Sequence, residues 1–449
     1  MCKIVENIDH IGELVSELNS YEFIVSIPIY SDTKIHPLNP NNKLSLLYFK
    51  YGKNSCIVPF NHIDCNNIDY NIDIFNSIKT NILTLNKKNL LPIINSNNIM
   101  DSNLIYYYMN NKPINIDDIK VNTIDIFNSR YYNLNNINNI VPIYKHFEWC
   151  EKVCDVILES FNLFREYDKD VIKSFYRFNK EVIPAFYCIE QNGIKVSNRV
   201  NEVFDDRVKN HICDRKVYHS YNIYTSTSRP SNSFGGINFA ALKKDNKERE
   251  VFIPNNDMFI EYDYDAYHLR LIGDLVGYKF NDEYVHEHLS KIYGVGYDES
   301  KAITFRLLYG GIDKDISKNI EYFSKIKTFI DVLWNDFKNE KEIKTYIYSR
   351  PICYSNFNDI DKNRLFNYYI QSFETEYNVG RIIEIQKLLS NYKSSLVSYN
   401  YDAFLIDFNV RDGRELIKNI KSILEHDGYL TKVSAGKNYK DLSDISGKI

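Results

Sequence analysis

The stretch "EYDYDAYHLR", Glu261 to Arg270, sets two aspartates into a run that otherwise alternates like a half-buried strand. Period-two alternation puts Ile260, Tyr262, Tyr264 and Ala266 on one face, and Asp263, Asp265 and Tyr267 on the other. A carboxylate at the end of an apolar strand needs water, a cation or a metal, because burying it unpaired is costly. The search for that partner leads outward along the chain.

Two distant segments are suited to answer it. In "ESKAITFRLLYGG" (299–311), helical spacing places Lys301, Phe305 and Tyr309 on one stripe. A cation, an aromatic ring and a Tyr-Gly end in line can grip a phosphate at one end and a flat base at the other, or can be an ordinary amphipathic core stripe. In "SLVSYNYDAFLIDF" (395–408), two strand-like runs meet near Asp402. Two strand-end carboxylates, Asp263 and Asp402, make a hard oxygen site suited to Mg²⁺. A pair of such ions can activate a hydroxyl and stabilise a leaving phosphate.

The rest of the chain bounds the answer. Its 449 residues suffice for two or three domains, and 44% hydrophobic content marks a globular protein. No run of about 18 apolar residues predicts a membrane span. The start, "MCKIVENIDHIGEL", lacks a signal-peptide pattern, and the eight scattered cysteines suit a reduced, cytoplasmic setting. Cys150 and Cys154 follow His146 at helical spacing; they form either a metal face short of a fourth ligand or, as cysteine more often does, core packing. The net charge of −4 does not advertise nucleic-acid binding, although Lys243, Lys244, Lys247 and Arg249 cluster, as do Lys432, Lys437 and Lys440. Asn-rich runs such as "NLNNINNI" (133–140) read as the mark of an AT-rich genome. Residues 1–150 mix β-rich runs in a meander with helices; 147–190 read as helical, ending at Asn192-Gly193; helices dominate 280–345 and 360–392; a helix is expected over 414–427.

With these pieces in order, the chain resembles the family A DNA polymerases, relatives of bacterial DNA polymerase I, in a compact phage-type form. "EYDYDAYHLR" is similar to the family's motif A, "KAITFRLLYGG" to motif B and "YNYDAFLID" to motif C. "TSRPSNSFGGIN", "NYYIQS" and "CIEQNGIKV" resemble further family segments, in the family's order. The resemblance is good over 181–449 and weak over the first 150 residues.

It implies an α/β (α+β) chain with a right-hand polymerase fold of palm, fingers and reduced thumb, behind a degenerate ribonuclease H-like 3′–5′ exonuclease domain. The implied boundaries are 1–146 for the exonuclease-like domain, 147–217 for linking helices and thumb, 218–275 and 346–449 for the palm, and 276–345 for the fingers. Asp263, Asp402 and the Tyr264 carbonyl would hold two Mg²⁺, with Mn²⁺ as a substitute. Lys301 would hold phosphates, Phe305 would lie beside the incoming sugar and base, and Tyr309 would stack near the templating base. Arg229, Asn367, Gln371 and Tyr401 would reach DNA near the primer end. The implied partners are primer-template DNA, deoxynucleoside triphosphates and a processivity factor, helicase or single-strand-binding protein, in a host cytoplasm and with no membrane. Asp265 is expected either to hydrogen-bond behind the metal site or to stand in solvent.

Four departures stand out. His268 replaces a glutamate that crowds the sugar 2′ position; Tyr297 replaces a phosphate-binding arginine; Ala403 replaces a second motif C carboxylate; and only about 25 residues separate Gly193 from His219, where a long helical thumb is usual. In the exonuclease-like part, Ser26, Pro28 and Asn89 stand in acidic places, Asp101 matches a non-catalytic aspartate, and Tyr144 with Glu148 matches a metal-site motif loosely. Two readings compete with the DNA polymerase: a single-subunit RNA polymerase, which shares the three motifs, and a polymerase fold kept as a catalytically weak DNA-binding replisome component.

Overall fold

The computed structural model describes residues 3–68, 72–116, 137–235, 237–243, 247–280 and 284–449. Lys244 and residues 133–136 of the Asn-rich run lie outside the described residues. The chain forms two compact units: Met1–Gln191 with Phe204–Ser220 and Ser233–Ile237, and Asn192–Val203 with Tyr221–Asn232 and Asn238–Ile449.

The first unit is built on a six-stranded mixed sheet, in the spatial order Lys3–Ile4, Asn54–Pro59, Leu44–Tyr51, Phe23–Tyr30, Asn81–Thr84, Ile99–Asp101. The three β-rich runs read from sequence form the antiparallel meander at its centre. Leu46, Leu47, Tyr48 and Phe49 are all fully buried, so that strand is covered on both faces and cannot alternate. Helix Ile143–Phe164 lies against it, where Lys50 Nζ donates to Glu151 at 2.7 Å and the Tyr48 hydroxyl bonds the same carboxylate. On this helix Cys150, Cys154 and His146 are core residues. The imidazole donates to the Asn138 carbonyl at 2.9 Å, and burial pushes its pKa down to about 4. Packing is therefore the reading that the cysteines take.

Ser26 is fully buried on the central strand without a side-chain partner among the described residues. Asp101 is a helix cap: it accepts from the Leu104 amide at 2.8 Å and the Lys87 amide at 2.6 Å. Asn89 lends its carbonyl to the Tyr30 hydroxyl at 2.9 Å, and Tyr144 is exposed. Two lysines are buried nearby in sequence. Lys88 Nζ meets Glu190 at 2.5 Å, and His36 closes on the same carboxylate at 3.4 Å; Lys87 Nζ donates to the Asn179 carbonyl at 3.0 Å.

The second unit carries a five-stranded antiparallel sheet, in the order Ser395–Asn400, Ala403–Phe408, Met258–Tyr264, Thr431–Gly436, Leu442–Asp444. The motif strand is thus central. Its Tyr262 and Tyr264 side chains are buried, and their hydroxyls donate to the Ile417 and Leu424 carbonyls of helix Gly413–Leu424 at 3.0 and 2.9 Å. The second of these satisfies a terminal carbonyl that the helix cannot.

The expected alternation fails beyond Tyr264. Ala266 adopts φ 52°, a left-handed turn, and helix Tyr267–Leu275 starts at once. Tyr267 is therefore buried rather than beside the aspartates; its hydroxyl donates to Asn378 at 2.6 Å. Helices Val285–Tyr293, Tyr297–Gly310 and Glu321–Glu340 gather around Leu289, Leu308, Tyr322, Phe323 and Ile326. The 28-residue helix Lys362–Leu389 contributes Phe366 and Ile370 to the same core. Between Gly193 and His219 stand two single-turn helices and short strands. No described helix is long and apolar enough to cross a membrane.

Candidate active site

The motif strand and its neighbour deliver the two carboxylates together. Asp263 pairs with Ala403 across the sheet, and the Tyr264 amide donates to the Asp402 carbonyl at 3.0 Å. Asp402 sits in the two-residue turn of the hairpin expected from sequence. Its turn partner Tyr401 has φ 63°, a conformation that such turns usually give to glycine. Asn378 Nδ2 holds it there, donating to the Tyr401 carbonyl at 2.8 Å. Two non-glycine residues in the left-handed region, Ala266 and Tyr401, thus flank the carboxylates; such strain collects at functional sites.

Asp263, Tyr264, Asp265, His268, Lys301, Phe305, Tyr309, Asp402 and Arg229 line one cavity of about 330 Å³. The helical stripe holds as expected: Phe305 and Tyr309 stack with ring planes 3° apart. Burial pushes the Tyr309 hydroxyl up to about 12. Asp402 is raised above the ordinary carboxylate range, first by desolvation and then by the charge of Glu374. A carboxylate in that state favours a cation beside it, so the oxygen donors here fit a hard divalent metal. Among the described residues no group of three or more His, Cys, Asp or Glu is placed to hold a metal ion.

Asn367 and Gln371 do not line this cavity; they sit one turn apart on helix Lys362–Leu389, and the Asn367 Oδ1 is buried without a partner among the described residues. Tyr401 is outside the lining too, but its ring lies 3.7 Å beneath the Arg229 guanidinium. The segment before Arg229 is tied down by Ser372 Oγ, which donates to the Thr227 carbonyl at 2.9 Å, and by Thr225 Oγ1, which donates to the Arg229 carbonyl at 2.8 Å.

Sequence reasoning missed Glu374. This fully buried carboxylate lies 3.1 Å from Arg229 Nε and 3.0 Å from His268 Nε2. Arg229 Nη2 also donates to Glu374 Oε1 at 3.5 Å. Burial pushes Glu374 upward, yet the His268 and Arg229 charges outweigh it and hold the carboxyl below its ordinary value. On its other side, His268 Nδ1 shares a hydrogen bond with the Tyr309 hydroxyl at 2.7 Å. The sequence carries no local signal for it, because Glu374 stands in a run from Ser372 to Glu376 that is buried throughout. His286 and Lys432 also line the cavity. Asp265 is neither solvated nor idle, since Lys432 Nζ lies 3.0 Å from it and Arg270 3.8 Å.

No protein-family model and no curated protein matches the chain. Its fold does match a solved one. The POL domain of Pol1 from M. smegmatis, in complex with DNA primer-template and dNTP, superposes with a TM-score of 0.71 over 98% of this chain and 99% of that one. Identity is 10%, so what the two share is the fold: this chain is a mixed α/β protein folded as a polymerase domain is.

Proposed function

We propose that the chain is a template-directed DNA polymerase of the family A type, extending a primer with deoxynucleoside triphosphates in phage or viral replication. One observation carries the reading. Asp263 near a strand end and Asp402 in the neighbouring hairpin turn line the same cavity as the Lys301–Phe305–Tyr309 stripe, on a fold shared with a polymerase domain. The primer 3′-hydroxyl attacks the α-phosphate and pyrophosphate leaves. Asp263, Asp402 and the Tyr264 carbonyl would hold two Mg²⁺, or Mn²⁺, which lower the pKa of the attacking hydroxyl and offset charge on the phosphate.

The chain's own groups do the positioning. Lys301 binds the phosphates, Phe305 packs on the sugar and base, and Tyr309 stands by the templating base. His268, held between Glu374 and Tyr309, takes up the space beside the sugar 2′ position. Arg229, flattened on Tyr401, reaches the minor groove near the primer end with Asn367 and Gln371. There the N3 and O2 acceptors of any correct pair are available, so geometry is tested without reading sequence.

The first unit is a ribonuclease H-like scaffold without proofreading in this reading. Buried Ser26 and the capping role of Asp101 support it, because neither leaves a carboxylate free for a metal. The short elements between Gly193 and His219 support a reduced thumb and hence a partner that holds the enzyme on DNA.

Primer extension with separate deoxy- and ribonucleotide pools tests the proposal. Deoxynucleotide extension that falls at least about a hundredfold in Asp263→Asn and Asp402→Asn, with DNA binding retained, supports it. Near-normal extension by either variant sinks the assignment. Preference for ribonucleotides favours an RNA polymerase; binding without extension favours a DNA-binding component.

A further inference from the structure

We infer that Lys432, held in reserve by Asp265, is a second triphosphate-binding cation that works beside Lys301; this rests on the nucleotide site proposed above. Lys432 lies opposite Asp263 in the antiparallel register, so their side chains leave the same face of the sheet. It lines the cavity that Lys301, His286 and Tyr297 also line. His286 lines it with them, and the charges of Lys301 and Lys432 both add to the burial that pushes its imidazole below its ordinary value. The first turn of the Lys301 helix offers neutral Tyr297, not a cation. A triphosphate entering here would meet one cation from the helix and need another from elsewhere. The strand Thr431–Gly436 supplies it.

The ion pair with Asp265 suits a reserve rather than a staple. Lys432 keeps a 56% exposed side chain, so its stem is free to swing. Asp265 would not be stranded by that movement. Its other oxygen faces Arg270, whose Nε is also fixed on the Asp265 carbonyl at 3.1 Å. The Asp265 amide donates to the Leu430 carbonyl at 2.8 Å, which locks the carboxylate two residues from Lys432 across the strand pair. Another basic residue of this tail behaves differently: Lys437 Nζ donates to the Asp257 carbonyl at 2.7 Å and lines no part of the cavity.

Equilibrium binding to the full chain on a dideoxy-terminated primer-template decides the matter. The probes are the matching deoxynucleoside triphosphate, its monophosphate and inorganic tripolyphosphate. Lys432→Ala should weaken triphosphate and tripolyphosphate about tenfold, the loss of one charge-assisted contact. Monophosphate and DNA affinities should stay within about twofold, Lys432→Arg should recover most of the loss, and Lys437→Ala should change nothing. Unchanged triphosphate affinity in Lys432→Ala overturns the proposal alone. A loss shared equally with the monophosphate or with DNA also overturns it, and makes Lys432 a DNA-backbone contact. Failure of the unaltered chain to bind triphosphate at all removes the nucleotide site and this proposal together. Melting curves that match the unaltered chain exclude misfolding of the exposed-residue variants as the cause.

Discussion

The two units handle buried charge in opposite ways. In the first, Lys88, Glu190 and His36 close on one another, and burial pushes the Glu190 carboxyl up less than Lys88 and His36 pull it down, to about 2. In the second, Asp402 is left raised by burial and by Glu374, facing a cavity. A closed network stabilises a fold and needs nothing more. An open one is stable only when something with the complementary charge arrives. The difference marks where chemistry belongs, since Glu190 is closed off by its partners while Asp402 opens into a cavity with its carboxyl held above its ordinary value.

That contrast makes Glu190→Ala the most damaging single change. It removes the carboxylate on which the buried Lys88 and His36 close and should cost about 3–5 kcal/mol, read as a lower denaturant midpoint for the first unit. Asp402→Asn should cost nothing or stabilise slightly, because it removes a strained charge. Equal destabilisation by both would break the comparison.

Acid should separate the units as well. A carboxyl held low in the fold contributes stability above its unfolded pKa, and that contribution is lost as pH falls through the folded value. For Glu190 the window runs from 4.5 down to about 2, and the stake is about 3 kcal/mol. Glu376, raised by burial, works the other way: protonation in acid relieves it. Unfolding followed by tryptophan-independent probes in each unit, such as hydrogen exchange, should show the first unit weakening over that range before the second. Loss in the reverse order would contradict the assignment.

Glu374 sits between the two cases. It is fully buried, yet Arg229 and His268 reach it from the cavity side. Glu374→Gln should therefore cost only about 1–2 kcal/mol, as Arg229 and His268 both line the cavity and can rehydrate, but should lower extension about tenfold and relax discrimination against ribonucleotides. Melts beside paired extension assays check it. A large stability loss with untouched extension would make Glu374 purely structural.

Glu374 also shows why part of the site was not legible in the sequence. The Lys301–Phe305–Tyr309 stripe and the Asp402 hairpin are local patterns, and they were readable. The helix Lys362–Leu389 is covered on several sides, with Ser372, Phe373, Glu374, Thr375 and Glu376 all buried in succession. Such a helix has no apolar stripe to set its polar residues apart. The pairing of Lys432 with Asp265 depends on strand register between distant segments, which no local pattern carries. The end of the motif strand was misjudged for a different reason: alternation continues in the letters through Tyr267, while the backbone turns at Ala266.

That turn yields the smallest and most pointed effect. Left-handed residues in the first unit include Asn111, which closes helix Ser102–Asn110 and is a type that tolerates the conformation. Ala266 has no such excuse, and it stands between Asp263 and His268. An alanine there costs about 1–2 kcal/mol, and glycine would remove that cost while adding about 0.5–1 kcal/mol of unfolded-state entropy. Ala266→Gly should then gain roughly 0.5 kcal/mol in stability and slow extension, because the same freedom loosens the step from Asp263 to the helix that holds His268. Asn111→Gly should change neither measurably. Calorimetry and single-turnover extension on both variants test this. If Ala266→Gly extends at the unaltered rate while melting higher, the strain at Ala266 does not serve the site; if it melts lower, the backbone is held there by contacts that the φ angle alone does not reveal.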